Sequence, residues 1–302
     1  NIVIVGGGAT GIEVAGILSE MKKFVLPNDY PDMSSSLMHI YLIEAGPRLL
    51  AGMSEESSAH AEQFLREMGV NILLNKRVVD YRDHKVVLED GTEIATRTFI
   101  WVSGVTGVTI GNLDASLIGR GGRIKVDSFN RVEGMNNVFA IGDQCIQLAD
   151  ENYPNGHPQL AQVAIQQGEL LAKNLIRMEK GQEMKPFHYR NLGSMATVGR
   201  NRAVAEFSKV KMQGWFAWVM WLVVHLRSIL GVRNKVIVLL NWIWNYFTYD
   251  QSMRMIVYAR KAKEIRDREK LEETNHWGKE LIQEPKQHSP QEIQQPSGQE
   301  KK

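Results

Sequence analysis

The fold of this chain is decided by its first eleven residues, NIVIVGGGATG at positions 1–11. The apolar run 2–5 predicts a buried strand, and three glycines follow it at the spacing G-x-G-x-x-G, directly before an apolar-periodic helix. In such a turn Gly6 permits the sharp reversal, Gly8 lets the backbone approach a pyrophosphate, and Gly11 lets the helix pack on the strand. The helix N-terminus offers free N–H groups to the phosphates. The segment therefore predicts a Rossmann-type dinucleotide site; a glycine-rich turn that binds nothing is the alternative.

An acidic residue supports the dinucleotide interpretation. The second predicted strand, residues 39–43, ends in Glu44. A carboxylate at this position can accept a hydrogen bond from the ribose 2′-OH of NAD. It lies further from the glycines than the usual distance of about 20 residues, because polar residues and prolines between positions 22 and 36 interrupt the crossover. A simple surface carboxylate is the alternative for Glu44.

Strands and helices alternate up to about residue 108, which predicts a parallel α/β sheet. Ser54 predicts the N-cap of a helix that ends at Glu67, and the next strands are predicted at 70–74 and 98–102. Between those two strands, Asp90-Gly91 marks a hairpin turn in a small antiparallel addition.

The second half of the chain predicts shorter strands and one long helix. Strands are expected at 122–127 and at 137–143, the latter ending in Asp143. A helix is expected from Gln159 to about Met178, and short strands between 186 and 207.

Two apolar, tryptophan-rich runs follow, at 215–224 and 235–247. Both are shorter than the roughly 20 residues that a spanning helix needs. Basic and histidine side chains lie between or beside them: His225, Arg227, Arg233 and Lys235. Tryptophan favours the membrane interface and basic residues favour anionic headgroups, so we expect an interfacial anchor. A buried core or dimer interface and a transmembrane hairpin are the alternatives. From about residue 264 the composition predicts a charged extension that fades into disorder.

Composition and length narrow the class of protein. The 302 residues leave room for two domains and a tail, and a net charge of +2 gives no indication of a nucleic-acid partner, so we expect none. Cys145 is the single cysteine, which excludes thiol-disulphide flavoenzymes and predicts a buried, inert thiol in a reducing compartment. Histidines and acids do not fall at metal-ligand spacing, and we expect no metal. Because the chain opens inside a predicted core strand without Met, we expect a fragment whose N-terminal part is missing.

Taken together, these segments resemble the type II NADH:quinone oxidoreductases over about residues 1–260. The most specific match is the run HPQLAQVAIQQG at 157–168. The other segments that carry the resemblance are the glycine turn with Glu13, the insertion 25–31, the strand end 100–105, the run 140–143, and the run 242–250.

The resemblance implies the fold class. In that family FAD is bound by an N-terminal Rossmann half and by a separate Ala-x-Gly-Asp half, and this chain contains only the second. We therefore expect an α/β, Rossmann-like two-dinucleotide-binding flavoprotein without its N-terminal FAD half, with a C-terminal amphipathic-helix membrane anchor. The expected domains are an NADH-binding domain (1–108), the C-terminal half of the FAD-binding domain (109–185), a membrane-anchoring domain (186–262) and a disordered tail (263–302).

The resemblance also implies the activity: a hydride passes from NADH to FAD and two electrons pass on to a quinone, without proton pumping. It implies peripheral attachment to a lipid membrane surface, on the cytoplasmic face of a bacterial inner membrane, and a homodimer through the C-terminal region. Two alternatives are open. One is another FAD- and NAD(P)-dependent reductase of the ferredoxin or disulphide type; the other is a nucleotide-binding module without catalysis.

By the same resemblance, Glu13, Gln162 and Gln166 are the candidate catalytic residues, with Glu13 near the nicotinamide and quinone. Amides can hydrogen-bond a quinone carbonyl without adding charge, and positions i and i+4 share a helix face. The alternatives are a solvated glutamine-rich face and, for Glu13, an ordinary first-turn acid. For His157 a helix-entry role is favoured over proton donation. The candidate cofactor-binding residues are Gly6, Gly8, Gly11, Glu44, Gly104, Gly142, Asp143 and Ala161.

Overall fold

The computed structural model describes residues 1–32, 34–108, 110–208 and 210–248. The strands are β1 (Ile2–Val5), β2 (Ile40–Ile43), β3 (Val70–Leu73), β4 (Val78–Arg82), β5 (Lys85–Leu88), β6 (Glu93–Ala95), β7 (Thr98–Trp101), β8 (Ile124–Val126), β9 (Cys145–Gln147), β10 (Ser194–Gly199), β11 (Arg202–Phe207) and β12 (Val210–Gln213). The helices are α1 (Ala9–Glu20), α2 (Leu26–Asp29), α3 (Glu55–Glu67), α4 (Ala161–Glu179), α5 (Gly214–Ser228) and α6 (Val232–Thr248). The chain divides into two compact units between Ile243 and Trp244, a boundary that falls within α6. The expected tail lies outside the described residues.

A four-stranded parallel sheet in the order β3-β2-β1-β7 forms the centre of the N-terminal half. The two central strands, β1 and β2, lack charged and amide side chains because both faces are covered, whereas the edge strands β3 and β7 carry the exposed residues Asn71 and Thr98. Helices α1 and α3 cover one face. On the other face, Val3, Val5 and Ile43 pack against Val86 and Leu88 of the antiparallel sheet β4-β5-β6. The predicted parallel α/β arrangement with a small antiparallel addition is confirmed.

Local signals placed several element boundaries correctly. Helix α3 ends at Glu67, and the Ser54 hydroxyl accepts a hydrogen bond from the Ser57 N–H at 3.3 Å, which is the predicted cap. The interrupted crossover after α1 contains a π-helical turn at Met21–Val25 followed by α2.

One predicted strand is wrong. Residues 137–143 form a single isolated bridge, between Phe139 and Arg131. The Ala140 N–H donates to the Asn130 carbonyl at 3.0 Å, and the Ala140 carbonyl accepts from the Asn130 side-chain amide at 3.4 Å. The strand of this region is instead β9, which the sequence did not signal and which pairs in parallel with β8. Cys145, at its start, is buried as predicted, and burial raises the pKa of its thiol.

The C-terminal part is an antiparallel sheet in the order β10-β11-β12, with α1 packed on β10 and α5 on β11. Short strands were predicted here, although β12 was not. Ala217 of α5 is buried against Ala203 and Ala205 of β11. The two apolar runs fall within α5 and α6. Of the helices in the described residues, none has both the length and the apolar character that crossing a membrane requires.

Candidate active site

The glycine turn is shaped by contacts that leave no room for side chains. Gly6 has φ +117°, and a Cβ there would lie 2.9 Å from the Val102 carbonyl oxygen at the end of β7. A Cβ on Gly11 would lie 1.8 Å from the Gly6 carbonyl oxygen. Both positions therefore require glycine for packing alone, whether or not a ligand is present.

Gly8 is different, because a Cβ there would meet no atom within 4 Å. It is the N-cap of α1, in an extended conformation, and it supplies no side chain to the first N–H groups of the helix. The space in front of this helix end is open to a ligand, and unpaired N–H groups there favour an anion. Gly104, just beyond β7, has φ +91° and is equally open.

Glu44 is brought directly to the glycine turn. Its Oε2 accepts from the Gly7 N–H at 2.6 Å and its Oε1 accepts from the Gly46 N–H at 2.7 Å. Two charge-assisted hydrogen bonds fix the carboxylate at the end of β2, so it is not a freely solvated surface group.

Glu13 lies in the second turn of α1 rather than the first, so the helix dipole does not explain it. It faces β10, where the Thr197 hydroxyl donates to Glu13 Oε1 at 3.4 Å. Burial raises the pKa of this carboxyl, opposed by hydrogen bonds from the Thr197 N–H and hydroxyl and by the charge of His225 on α5. Within α5 the His225 ring stacks on Trp221, with centroids 3.7 Å apart, and its Nδ1 lies 2.8 Å from the Trp221 carbonyl oxygen, as expected for a side chain whose polar atoms have partners.

Helix α1 approaches β10 at backbone distance. A Cβ on Gly16 would lie 1.7 Å from the Val198 carbonyl oxygen. One turn further along, Glu20 Oε1 accepts from the Arg200 N–H. The helix whose N-terminus forms the glycine turn is therefore fixed along the C-terminal sheet.

Side-chain amides on one face of α4 bind the backbone of the extended segment 185–193. Gln162 accepts from the Leu192 N–H and donates to the Gly193 carbonyl, both at 3.0 Å. Gln166 accepts from the Arg190 N–H at 3.1 Å and donates to the Arg190 carbonyl at 2.9 Å. Asn174 bonds Lys185 in the same way, at 2.9 and 2.8 Å. We call these three residues the amide ladder.

The amide ladder differs from what the sequence predicted. Gln162 and Gln166 do share one helix face, but their amides are engaged by backbone rather than free for a quinone carbonyl. The solvated-face alternative does not describe them either. An extended segment outside a sheet needs partners for its N–H and C=O groups, and the amides supply them.

The Ala-x-Gly-Asp run lies at the N-terminus of α4. Gly142, with φ +65°, donates its N–H to Gln167 Oε1 at 2.7 Å, and a Cβ there would lie 3.1 Å from the Ala164 Cβ. The Gln159 amide donates to the Asp143 carbonyl at 3.1 Å. The Asp143 side chain is exposed, as is Ala161, the first residue of α4. The N-cap residue, Leu160, offers no side-chain acceptor to the helix.

His157 belongs to a buried pair that sequence reasoning missed. Its Nε2 lies 3.0 Å from Asp150 Oδ2, and its carbonyl accepts from Arg123 at 3.0 Å. Burial raises the pKa of Asp150, but hydrogen bonds from His157 and from the Asn152 and Tyr189 N–H groups outweigh it and lower the pKa overall. The two residues are seven positions apart in a loop, a spacing that carries no local signal.

Comparison with known proteins identifies the family. Residues 1–168, more than half of the chain, match the model of the pyridine nucleotide-disulphide oxidoreductases. The chain belongs to this family. Residues 191–249 match the NDH2 C-terminal domain.

Within the family, the chain is a homologue of the type II NADH:quinone oxidoreductases. It is 35% identical over 255 residues to the type II NADH:quinone oxidoreductase NdhA of Mycobacterium tuberculosis, covering 80% of this chain and 53% of that protein. It is 32% identical over 264 residues to an Arabidopsis thaliana mitochondrial protein, the internal alternative NAD(P)H-ubiquinone oxidoreductase A1, covering 82% and 51%. The chain thus spans about half the length of the curated relatives it matches.

A solved structure supports the fold. The chain superposes on NDH2 from Plasmodium falciparum in complex with NADH with a TM-score of 0.73 at 20% identity, covering 82% of this chain and 65% of that one. The predicted Rossmann-type α/β fold of this family is confirmed.

Proposed function

We propose that this chain carries the NADH site, part of the FAD site and part of the quinone site of a type II NADH:quinone oxidoreductase. One observation supports this most directly. The helix that begins at the glycine turn lies along β10, inside the region that matches the NDH2 C-terminal domain, and Glu13 sits in that contact. The Glu13 carboxyl therefore joins the helix of the proposed nucleotide site to the C-terminal sheet.

NADH binds, in this proposal, across the glycine turn. Its pyrophosphate approaches Gly8 and the unpaired N–H groups of α1, where no Cβ intervenes. Gly6 and Gly11 keep the turn tight, and Glu44, already fixed by two N–H groups, accepts from the ribose 2′-OH.

The residues assigned to FAD fit both its hydroxyl groups and its phosphates. The exposed Asp143 carboxylate can accept from ribityl hydroxyls, and the N-terminus of α4, which begins at Ala161 and has no side-chain cap, favours the phosphates. Gly104 leaves its backbone open, and Gly142 allows the close approach of Ala164. When bound, FAD supplies the chemistry, taking two electrons from NADH as hydride and passing them to the quinone. The chain positions both partners.

Gln162 and Gln166 serve the quinone site, we propose, by holding residues 190–193 in place beside the start of β10. Glu13 reaches β10 from the other side. The segment between them leads directly into the strand that carries Thr197, so a shift of the segment would be transmitted to the Glu13 contact.

The test is a stopped-flow comparison of the two half-reactions in the intact flavoprotein. Substitutions in the glycine turn should slow flavin reduction by NADH. Glu13→Gln should slow reoxidation by quinone and leave flavin reduction near the wild-type rate. If NADH reduces the flavin but no quinone reoxidises it, the electron acceptor is a different one. If the protein never binds flavin, the alternative of a nucleotide-binding module without catalysis is the correct one.

We further propose peripheral attachment to the cytoplasmic face of a bacterial inner membrane through α5 and α6. Apolar side chains of α5 face outward, including Trp215 and Phe216, the latter 72% exposed. Arg227 and Arg233 are also exposed near the turn between the helices. Apolar rings beside basic groups suit the interface of an anionic bilayer. A homodimer through this region and the domain boundaries at 108, 185 and 262 belong to the same proposal.

Vesicle flotation tests the attachment. Phe216→Glu should weaken binding to phosphatidylglycerol-containing vesicles, whereas Val79→Glu, at an exposed apolar position on β4, should not. Truncation should begin at Val232, because removing α5 would expose the alanines of β11. Equal binding by Phe216→Glu and the wild type would contradict the role of α5.

A further inference from the structure

We propose that Thr197 is a positioning residue for the Glu13 carboxyl, and that the backbone contact between Gly16 and Val198 sets the distance between them. The inference rests on the proposed function only in giving Glu13 a task in quinone reduction. It adds a residue from the C-terminal sheet to the machinery around that carboxyl.

One hydrogen bond connects the Thr197 side chain to Glu13: the hydroxyl donates to Oε1 at 3.4 Å. The Thr197 backbone also favours the ionised form of this carboxyl and so lowers its pKa. A hydroxyl donor fixed on a strand restricts the orientations that are open to the carboxyl.

The approach of α1 makes these bonds reachable. Gly16 lies one turn after Glu13, and its missing Cβ allows the Val198 carbonyl to touch the helix. The pairing of β10 with β11 is irregular between Thr197 and Gly199, so Val198 sits in a bulge. The residue directly before this bulge is Thr197, whose hydroxyl contacts Glu13 of α1.

Charge around Glu13 is sparse in the described part of the chain. Strand β10 contributes no ionisable side chain between Ser194 and Gly199. From α5, His225 is the residue whose electrostatic interaction reaches Glu13. Burial disfavours the carboxylate and raises its pKa, whereas Thr197 and His225 act in the opposite direction, so the loss of the Thr197 hydroxyl should raise the pKa of Glu13 further.

The experiment is an infrared pH titration of the carboxyl band of Glu13 in the full chain, with Glu13→Gln identifying the band. Thr197→Val removes the hydroxyl and keeps the N–H. The loss of a donor to the ionised form should raise the titration midpoint by about half to one pH unit. Thr197→Ser keeps the hydroxyl and should titrate close to the wild type. In the intact flavoprotein, the pH dependence of quinone-driven reoxidation should shift in the same direction.

Gly16→Ala supplies an independent variant, since the added Cβ must push α1 away from Val198 and lengthen the Glu13–Thr197 contact. A raised midpoint in Thr197→Val, restored in Thr197→Ser, supports the proposal. An unchanged midpoint in Thr197→Val overturns it, whatever the activity. If the midpoint moves but Glu13→Gln leaves quinone reduction intact, Thr197 still positions Glu13 and the proposed quinone role is what fails.

Discussion

The glycine turn and the amide ladder achieve precise placement by opposite means. At the turn, Gly6 and Gly11 bring backbone close to backbone, and Gly8 leaves the backbone open to a ligand. At the ladder, side-chain amides of α4 bond backbone that would otherwise lack partners. The glycine spacing that identifies the turn lies in six consecutive residues, whereas each ladder residue bonds backbone 11 to 31 positions away. The turn can therefore be recognised from the sequence, whereas the ladder is seen only in the folded chain.

Substitution at Gly11 should have the largest effect of those considered. In Gly11→Ala the Cβ would collide with the Gly6 carbonyl, which is backbone and cannot rotate away. We expect the free energy of unfolding to fall by about 3 kcal/mol, the upper range for overpacking. Chemical denaturation measures it, with Gly52→Ala as control, because a Cβ on Gly52 meets nothing within 4 Å. Equal stability of the two variants would mean that the turn is not rigid.

Gly8→Ala should separate binding from folding. Its extended backbone accepts alanine and the new Cβ meets no protein atom, so stability should match the wild type. The methyl group would lie where the pyrophosphate approaches, and NADH affinity should fall by roughly thirtyfold, equivalent to about 2 kcal/mol. Titration by NADH fluorescence measures it. Unchanged affinity would place the dinucleotide elsewhere.

Features that depend on neighbouring residues could be predicted from the sequence, whereas contacts between distant residues could not. The glycine turn and the Ser54 cap depend on neighbouring residues, and both were predicted. The central parallel sheet joins distant strands, but the alternation of strands and helices along the chain predicted it. The Glu13 contact with Thr197 joins residues 184 positions apart, and no local pattern encodes it. The strand predicted at 137–143 is wrong: the segment keeps one bridge, and Gly142, with φ +65°, begins a 3₁₀ turn that ends the extended backbone. The catalytic role predicted for Gln162 and Gln166 stays a prediction, and no local pattern encodes their bonds to the backbone of residues 190–193.

The ladder offers a matched comparison along one helix. Gln162→Ala, Gln166→Ala and Asn174→Ala each remove the same type of paired hydrogen bond to the segment 185–193. Each should cost about 1 kcal/mol of stability, since water partly replaces the lost partners. Only the two glutamine variants should slow flavin reoxidation by quinone in stopped flow, with reduction by NADH nearly unchanged. A similar loss of reoxidation rate in Asn174→Ala would show that Gln162 and Gln166 have a structural role only and no specific role at the quinone site.

Glu44→Gln should give the smallest effect and tests whether the turn also selects its ligand. Each carboxylate oxygen accepts one hydrogen bond from a backbone N–H, and a glutamine amide could accept only one of these two bonds. The negative charge should repel the 2′-phosphate of NADPH, so the wild-type enzyme should prefer NADH. Neutralising the charge should narrow the ratio of kcat/KM values by about fivefold, or about 1 kcal/mol. Glu89→Gln is the control, because it makes the same change in net charge at an exposed carboxylate paired with Arg77 on the surface. A ratio that moves equally in both variants would reflect overall charge. A ratio that changes only in Glu44→Gln would show that Glu44 discriminates between NADH and NADPH. The backbone N–H groups of Gly7 and Gly46 hold this carboxylate in place, so the turn would then position the side chain that selects the nucleotide.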